Sequence, residues 1–377
     1  MRQFKILLVP LALFAVVFAL DKVFLLPIVR ENFVSWKKIE PPFYEARRDL
    51  YDLYKRSYQA DKARGKKIGA IFGTSRSAEF NTDGIDQILH DSRTYNFGAP
   101  FACPSFFYYW YSQMKADGIL PDYVILETDP LLFNERAIDY SLSYSYDSSF
   151  VIKHLELGRA RGGDPWSARP GFSFDEGETF FLKRLFALYR YPPDLGVYKD
   201  NNQDLPLPLP DGTIRIWKGK EFRAELLKWM GSINELKLGG IPNMLSIQLP
   251  PEKLKGDAAN MAAIHLTGYS PSRTQIAFYR LLTKSLAEKK IQTIVYWPVV
   301  SDAFQEKIDD ARLPDFVQRA RVEQEIKKVD PAGTIQLIYP AELKCRTFVD
   351  SVHLSGSCFP ELEKILIEKG LPAQKRK

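Results

Sequence analysis

The sequence predicts an α/β domain built on a mostly parallel sheet, and three observations carry that expectation. Short, largely apolar runs bounded by turn residues recur at 67–72, 123–126, 244–249, 293–299 and 334–338. Runs of this kind suit strands buried on both faces, since a parallel sheet is covered by helices above and below. Segments with apolar residues at helical spacing separate most of them, and strand alternating with helix gives a three-layer architecture. The composition agrees. The 377 residues are 45% hydrophobic and 26% charged, which is ordinary for a folded chain and excludes wholesale disorder.

The chain begins differently. Arg2 and Lys5 precede a stretch, 6–20, that carries no charge and is interrupted only by Pro10. Asp21 and Lys22 follow, and 23–29 is apolar again. About fifteen apolar residues suit a signal-peptide core and about twenty suit a span. Residues 1–30 are therefore expected to be a signal anchor or a signal peptide. A positive N-terminus stays inside, so the remainder would face the periplasm or the exterior, held at the inner membrane by the N-terminal helix. Cleavage after Val17-Phe18-Ala19 is the alternative and would give a secreted protein. Residues 31–66 read as a stalk and a leading helix, with a break at Pro41-Pro42 and helical spacing over 43–58.

The domain proper is expected over 67–377. Helical patterns cover 105–115, 272–289, 302–328 with a break at Pro314, and 359–369. In the second of these, Ile276, Phe278, Leu281, Leu282 and Leu286 fall close to a 3.6-residue period. The stretch from about 135 to 240 interrupts the alternation. It is rich in Gly, Pro, Asp and Tyr, and Asp211-Gly212 before Thr213-Ile214-Arg215-Ile216-Trp217 reads as a hairpin turn feeding a strand. This is expected to be a large insertion over the sheet edge, and such insertions often form lids or substrate walls.

Several classes are excluded. The net charge is +6, from 52 basic and 46 acidic residues scattered along the chain, which gives no footprint for nucleic acid. Lys375-Arg376-Lys377 reads as a solvated tail. No two histidines have metal-ligand spacing and there is no Cys-x-x-Cys, so no metal is expected. Neither a Gly-x-Gly-x-x-Gly nor a Walker pattern occurs, so no nucleotide cofactor is expected. Three cysteines, Cys103, Cys345 and Cys358, cannot all pair. In an exported chain Cys345 and Cys358 form one disulfide; the other reading is three buried thiols.

Two segments carry chemistry. In Ile71-Phe72-Gly73-Thr74-Ser75-Arg76-Ser77 a strand ends, glycine permits a tight turn, and Ser75 stands where a helix begins. Ligands of open parallel sheets bind at the C-terminal ends of strands, and an amide at a helix start can donate to an oxyanion. In Phe348-Val349-Asp350-Ser351-Val352-His353-Leu354, one of only four histidines follows an aspartate by three residues. That spacing lets the carboxylate hold one ring nitrogen while the other faces a nucleophile. His265, before a Ser-Pro turn, is either a second substrate-facing base or a structurally bonded histidine. Arg76, next to Ser75, either holds an anionic substrate or pairs with a surface carboxylate.

An early strand–Gly-x-Ser turn with a late Asp-x-x-His resembles the SGNH/GDSL hydrolases. Within that superfamily it resembles the membrane-anchored, envelope-facing branch: alginate O-acetylation proteins, the teichoic-acid D-alanylation protein and a bacterial family of unknown function. The resemblance implies a three-layer SGNH (flavodoxin-like) fold with Ser75, Asp350 and His353 as the catalytic set. It further implies that Gly98, in Asn96-Phe97-Gly98 after the second strand, donates to the oxyanion. Where the family has Gly-x-Asn-Asp, this chain has Glu127-Thr128-Asp129-Pro130. Asp129 replaces the donor Asn, and an ionised carboxylate cannot donate. Thr128 or Asn134 is the substitute; otherwise the hole is weakened or Asp129 is engaged elsewhere. The expected function is that of a serine esterase or O-acyltransferase acting on an acylated envelope polysaccharide or glycolipid. The alternative is a non-catalytic SGNH-like protein that binds an envelope glycan or acts as a scaffold for other envelope proteins.

Overall fold

The computed structural model describes residues 2–39, 41–156, 162–208, 214–241 and 248–371. Five parallel strands form the sheet: β1 (Lys67–Phe72), β2 (Ser92–Asn96), β3 (Tyr123–Glu127), β6 (Gln292–Tyr296) and β7 (Ile335–Ile338). A separate antiparallel pair, β4 (Asp204–Pro208) and β5 (Ile214–Lys218), lies in the insertion. The order across the sheet is β2-β1-β3-β6-β7. From β1 the chain steps outward to β2, then back across β1 to β3 and onward. The crevice at the C-terminal ends of β1 and β3 is therefore the topological switch point.

Alternation along each strand divides the core into two layers. Ala70 and Phe72 of β1, Val124 and Leu126 of β3, and Val295 of β6 face one side. There they meet the helices Pro42–Ala63, Pro104–Ala116 and Arg273–Glu288 through Leu50, Tyr54, Phe107, Phe278 and Leu282. Ile71, Ile125, Ile294 and Tyr296 face the other side, where the helices Thr82–Leu89 and Phe359–Gly370 bring Ile85, Leu362 and Leu366. Each such apolar side chain removed from water contributes about 1.5–3 kcal/mol, so the continuous apolar runs fix the strands and their facing.

Four of the predicted strand runs belong to this sheet, with trimmed ends. β6 stops at Tyr296, because Trp297 and Pro298 follow and proline has no N–H for the ladder. Of the run expected at 244–249, residues 244–247 lie outside the described residues, and Gln248 and Leu249 are not in a strand. The helix pattern over 302–328 divides into Asp302–Asp310 and Arg319–Val329, with the break around Pro314. The hairpin expected after Asp211-Gly212 is present as the β4–β5 pair, although its turn lies outside the described residues.

The described part of the stretch 135–240 is largely helical. It holds Ile138–Tyr144, Ser148–Lys153, Phe174–Leu185, Val197–Asn202 and Gly219–Lys237. The last packs along Pro42–Ala63, where Asn234 Nδ2 donates to Ala46 O and Arg223 pairs with Glu45. At the N-terminus a helix runs Arg2–Val23, and a second, Pro27–Phe33, turns away from it by 80°. Leu26, the residue before Pro27, is extended, because a residue preceding proline is sterically driven out of the helical region. No single described helix is long and apolar enough to cross a membrane; Leu8–Val23 and Pro27–Phe33 together meet that length and composition.

Candidate active site

The site begins where β1 runs out. At Gly73 a Cβ would fall 1.9 Å from Ser77 Oγ and 2.7 Å from Glu127 Oε2, so only glycine lets the turn close. Thr74 then caps a single helical turn, Ser75–Ala78, its hydroxyl accepting from the Arg76 amide. Glu127, at the end of neighbouring β3 and fully buried, gathers the turn onto itself. Its carboxylate accepts from the Thr74 amide at 2.8 Å, the Thr74 hydroxyl at 2.7 Å and the Ser77 hydroxyl at 2.5 Å. Tyr296 of β6 bonds the Ser77 hydroxyl from the next strand across.

Arg76 completes this buttress from below. Its guanidinium is buried, donates to Glu127 Oε1 at 2.7 Å and forms a short contact with Asp129 Oδ2. Burial alone would lower its pKa, but the charges of Asp129 and Glu127 outweigh burial and push it up. The Tyr296 hydroxyl is raised by burial and by the Glu127 charge. The cluster is a buried ionic network whose two carboxylates are held by a single cation.

With the turn fixed in this way, Ser75 is left half-buried, its hydroxyl facing the loop after β7. Ser75 Oγ lies 2.8 Å from His353 Nε2. His353 Nδ1 lies 2.8 Å from Asp350 Oδ2 and 2.9 Å from Oδ1. A carboxylate can only accept, so Nδ1 carries the proton and Nε2 presents its lone pair to the serine hydroxyl. Burial raises the Asp350 pKa, but the His353 ring and the amides of Val352 and His353 outweigh it and hold the carboxyl below its usual value. Those amides donate to Oδ1 at 2.9 and 2.8 Å. The histidine and aspartate side chains retain 21% and 26% exposure, which leaves the site open to a ligand.

The loop carrying this pair has little regular structure. A Cys345–Cys358 disulfide closes it, and Cys103 is a buried free thiol. Within it Phe348 and Leu354 form an isolated bridge and the Val349 amide donates to His353 O at 3.0 Å. From outside, Asp257 Oδ2 accepts from the Ser351 amide at 2.6 Å and Ser351 O accepts from the Ser301 amide at 3.0 Å.

The sequence pattern of one family, described as Protein of unknown function (DUF1574), matches residues 1–369. The chain belongs to the DUF1574 family. No curated protein matches it.

In this DUF1574 chain the remaining predicted residues bond within the protein. The Gly98 amide donates to Asn96 Oδ1 at 2.9 Å, so the donor assigned to an oxyanion is already used. Glycine is still required there, because a Cβ would come within 2.9 Å of Asn96 Oδ1 and 3.3 Å of Thr74 O. Arg76 and Asp129 face each other within the buttress rather than a ligand, and Asp129 Oδ1 also caps the turn Pro130–Phe133 through the Leu132 amide. Thr128 is fully buried beside the Tyr279 hydroxyl. Asn134 uses both ends of its amide, donating to His265 O at 3.1 Å and accepting from the Arg136 amide at 3.1 Å. Ser75 itself begins a helical turn, and its N–H has no intrahelical acceptor.

One residue of the DUF1574 site, Glu127, had no assigned role, and His265 had two. Glu127 is the organiser of the Ser75 turn, and its signal was an acid closing an otherwise apolar strand, where an ionised group needs dedicated partners. His265, at the end of the helix Pro251–His265, has its pKa lowered by burial and by Arg76, and it also senses Asp129, His353 and Asp350.

Proposed function

We propose that this chain is an SGNH-like serine esterase or O-acyltransferase, with Ser75 as nucleophile, His353 as general base and Asp350 as its orienter. The observation that carries the reading is the continuous relay from Asp350 through the His353 ring to Ser75 Oγ, with 2.8 Å at each end. A strand order equivalent to 2-1-3-4-5, as in flavodoxin-like sheets, with the serine at the switch point, supports it.

In the mechanism, Ser75 Oγ attacks an ester carbonyl as its proton passes to His353 Nε2. The carbonyl oxygen gains the negative charge, and the Ser75 amide donates to it. Collapse breaks the ester bond, and the imidazolium returns its proton to the departing alkoxide. Water, or a sugar hydroxyl in the transferase case, then attacks the acyl-serine carbonyl as its proton passes to the same nitrogen; collapse breaks the bond to Ser75 Oγ, which takes that proton back, and the acid or new ester leaves. Asp350 stays ionised and steadies the imidazolium. The substrate class is an acylated envelope polysaccharide or glycolipid. The apolar N-terminus supports it, by tethering the domain at the outer side of the inner membrane.

One observation favours a second reading, that of a non-catalytic glycan binder. The Gly98 amide and the residue at the Asn position, Asp129, are both engaged away from Ser75. The full chain in detergent, treated with a fluorophosphonate probe and with p-nitrophenyl acetate, separates the two. The esterase reading expects labelling and turnover in the native chain and their loss in Ser75→Ala. A folded native chain that takes no label transfers the weight to the binder, and binding of acylated polysaccharide becomes the measurement that follows.

A further inference from the structure

The foot of the N-terminal helix is fastened to the insertion. Asp21, only 3% exposed, accepts from the amides of Ala187 and Leu188 at 2.8 Å each. Lys22 donates to Leu185 O and lies 4.2 Å over the Phe18 ring, and Phe186 meets Phe18 edge-on. The next helix, Pro27–Phe33, is tied in by the Asp194 amide on Phe33 O at 3.0 Å and by Asn201 Nδ2 on Glu31 O at 2.9 Å. The direction in which Arg2–Val23 leaves the domain is thus set by buried polar contacts.

Around this foot the surface mixes exposed apolar side chains with ion pairs, Lys38 with Asp194 and Lys220 with Glu31. Leu185, Leu188 and Tyr189 are exposed on one side, and Leu195 and Tyr198, at 105% and 80%, on the other. The patch is continuous with the helix, whose Leu8, Val9, Leu11, Phe14, Val17 and Leu20 are all more than half exposed. A helix apolar on every side is stable only inside a protein core or inside lipid. A contiguous apolar patch on a water-facing surface marks an interaction site. A protein partner would have to enclose the full girth of a helix about 30 Å long, whereas a bilayer does so by its nature. Tyrosines beside the cations Arg190 and Lys199 at the foot have the composition of residues at a membrane–water boundary.

We infer that the 185–198 segment, with 24–33, forms an apolar rim seated in the interfacial layer of the bilayer, so that the domain rests on the membrane rather than swinging from a tether. The inference rests on the membrane reading of the N-terminal helix. The test uses the full chain in phosphatidylcholine–phosphatidylglycerol nanodiscs. Single cysteines are introduced as Leu13→Cys, Leu195→Cys, Tyr198→Cys and Glu368→Cys, and each is labelled with an environment-sensitive fluorophore. Cys103 is buried and the other two cysteines are paired, so the label goes to the new site. Nitroxide placed high on the acyl chains is expected to remove most of the fluorescence at 195 and 198, as at 13. Position 368, on the helix Phe359–Gly370 of the opposite layer, is expected to keep its signal. Quenching at 13 with 195 and 198 behaving like 368 overturns the rim and leaves the anchor standing. No quenching at 13 removes the anchor and the rim together.

Discussion

The two halves of the candidate site are held in different ways. Ser75 follows a central strand, and Thr74 and Ser77 of its turn are bonded to the neighbouring strands through Glu127 and Tyr296. Asp350 and His353 lie in a loop after the edge strand β7, outside regular structure and tied by one disulfide, one isolated bridge and a few amides. A side chain on a strand end takes its position from the sheet, whereas one on a loop needs dedicated ties to reach the same precision. Damage to the first region should therefore cost folding, and damage to the second should cost geometry before it costs stability.

The largest expected effect tests the loop half. Asp350→Asn leaves the fold intact but offers an amide to His353 Nδ1 and favours the wrong tautomer. Esterase turnover should fall about 10³- to 10⁴-fold, with an unchanged unfolding midpoint in urea. A chain that loses its midpoint as well would erase the distinction between the two halves. The turn half is tested by Arg76→Met, which leaves the Glu127 and Asp129 carboxylates buried without their cation. Stripping the partner from a buried ion network costs about 3–5 kcal/mol, read by urea denaturation, and this variant should be less stable than Asp350→Asn.

Smaller effects sharpen the contrast. The disulfide spans a sequence separation of 13, and closing a loop of that size contributes about 3 kcal/mol through the unfolded chain. Cys345→Ser with Cys358→Ser should lower stability by no more than this. Turnover should fall further than that of an equally destabilised core variant, because the loop loses its tie. Glu363 joins the halves: it sits on the helix Phe359–Gly370, after the loop, and its carboxylate accepts from the Asn81 amide at 2.5 Å, just beyond the nucleophile turn. Burial pushes its pKa up from 4.5 to about 8. The folded chain then keeps a proton that the unfolded chain releases, so the stabilisation is complete below pH 4.5 and is lost as pH rises through about 8. Glu363→Gln keeps an acceptor for Asn81 and should flatten that slope, measured as urea midpoints at about pH 5 and about pH 8.

How far the molecule was legible follows from where polar groups sit. The strands β1, β3 and β6 were readable because both of their faces are apolar. β2 was not, since three of its five residues are Ser92, Thr94 and Asn96, whose polarity is satisfied by Asp86 and by Ser77 O. Ser75 and the Asp350–His353 pair were readable from a glycine turn and a three-residue spacing. The donors for an oxyanion were not, because Gly98 N–H is claimed by a side chain two residues away. In the insertion the composition pointed to no helix, yet its described part is largely helical. Ser173 and Glu176 form a capping box at the start of Phe174–Leu185, a local signature that composition hides.

Ser75 and His353 stand 278 positions apart, on either side of nearly every element of the domain. Domains take shape from the N-terminal side during synthesis, so the serine turn emerges with β1 while its partner is still unmade. Until β7 and the loop behind it have left the ribosome, the nascent chain carries a serine with no base to activate it. On the proposed esterase reading, a product truncated ahead of position 353 lacks the base and should neither take the fluorophosphonate label nor turn over ester, whatever part of it has folded.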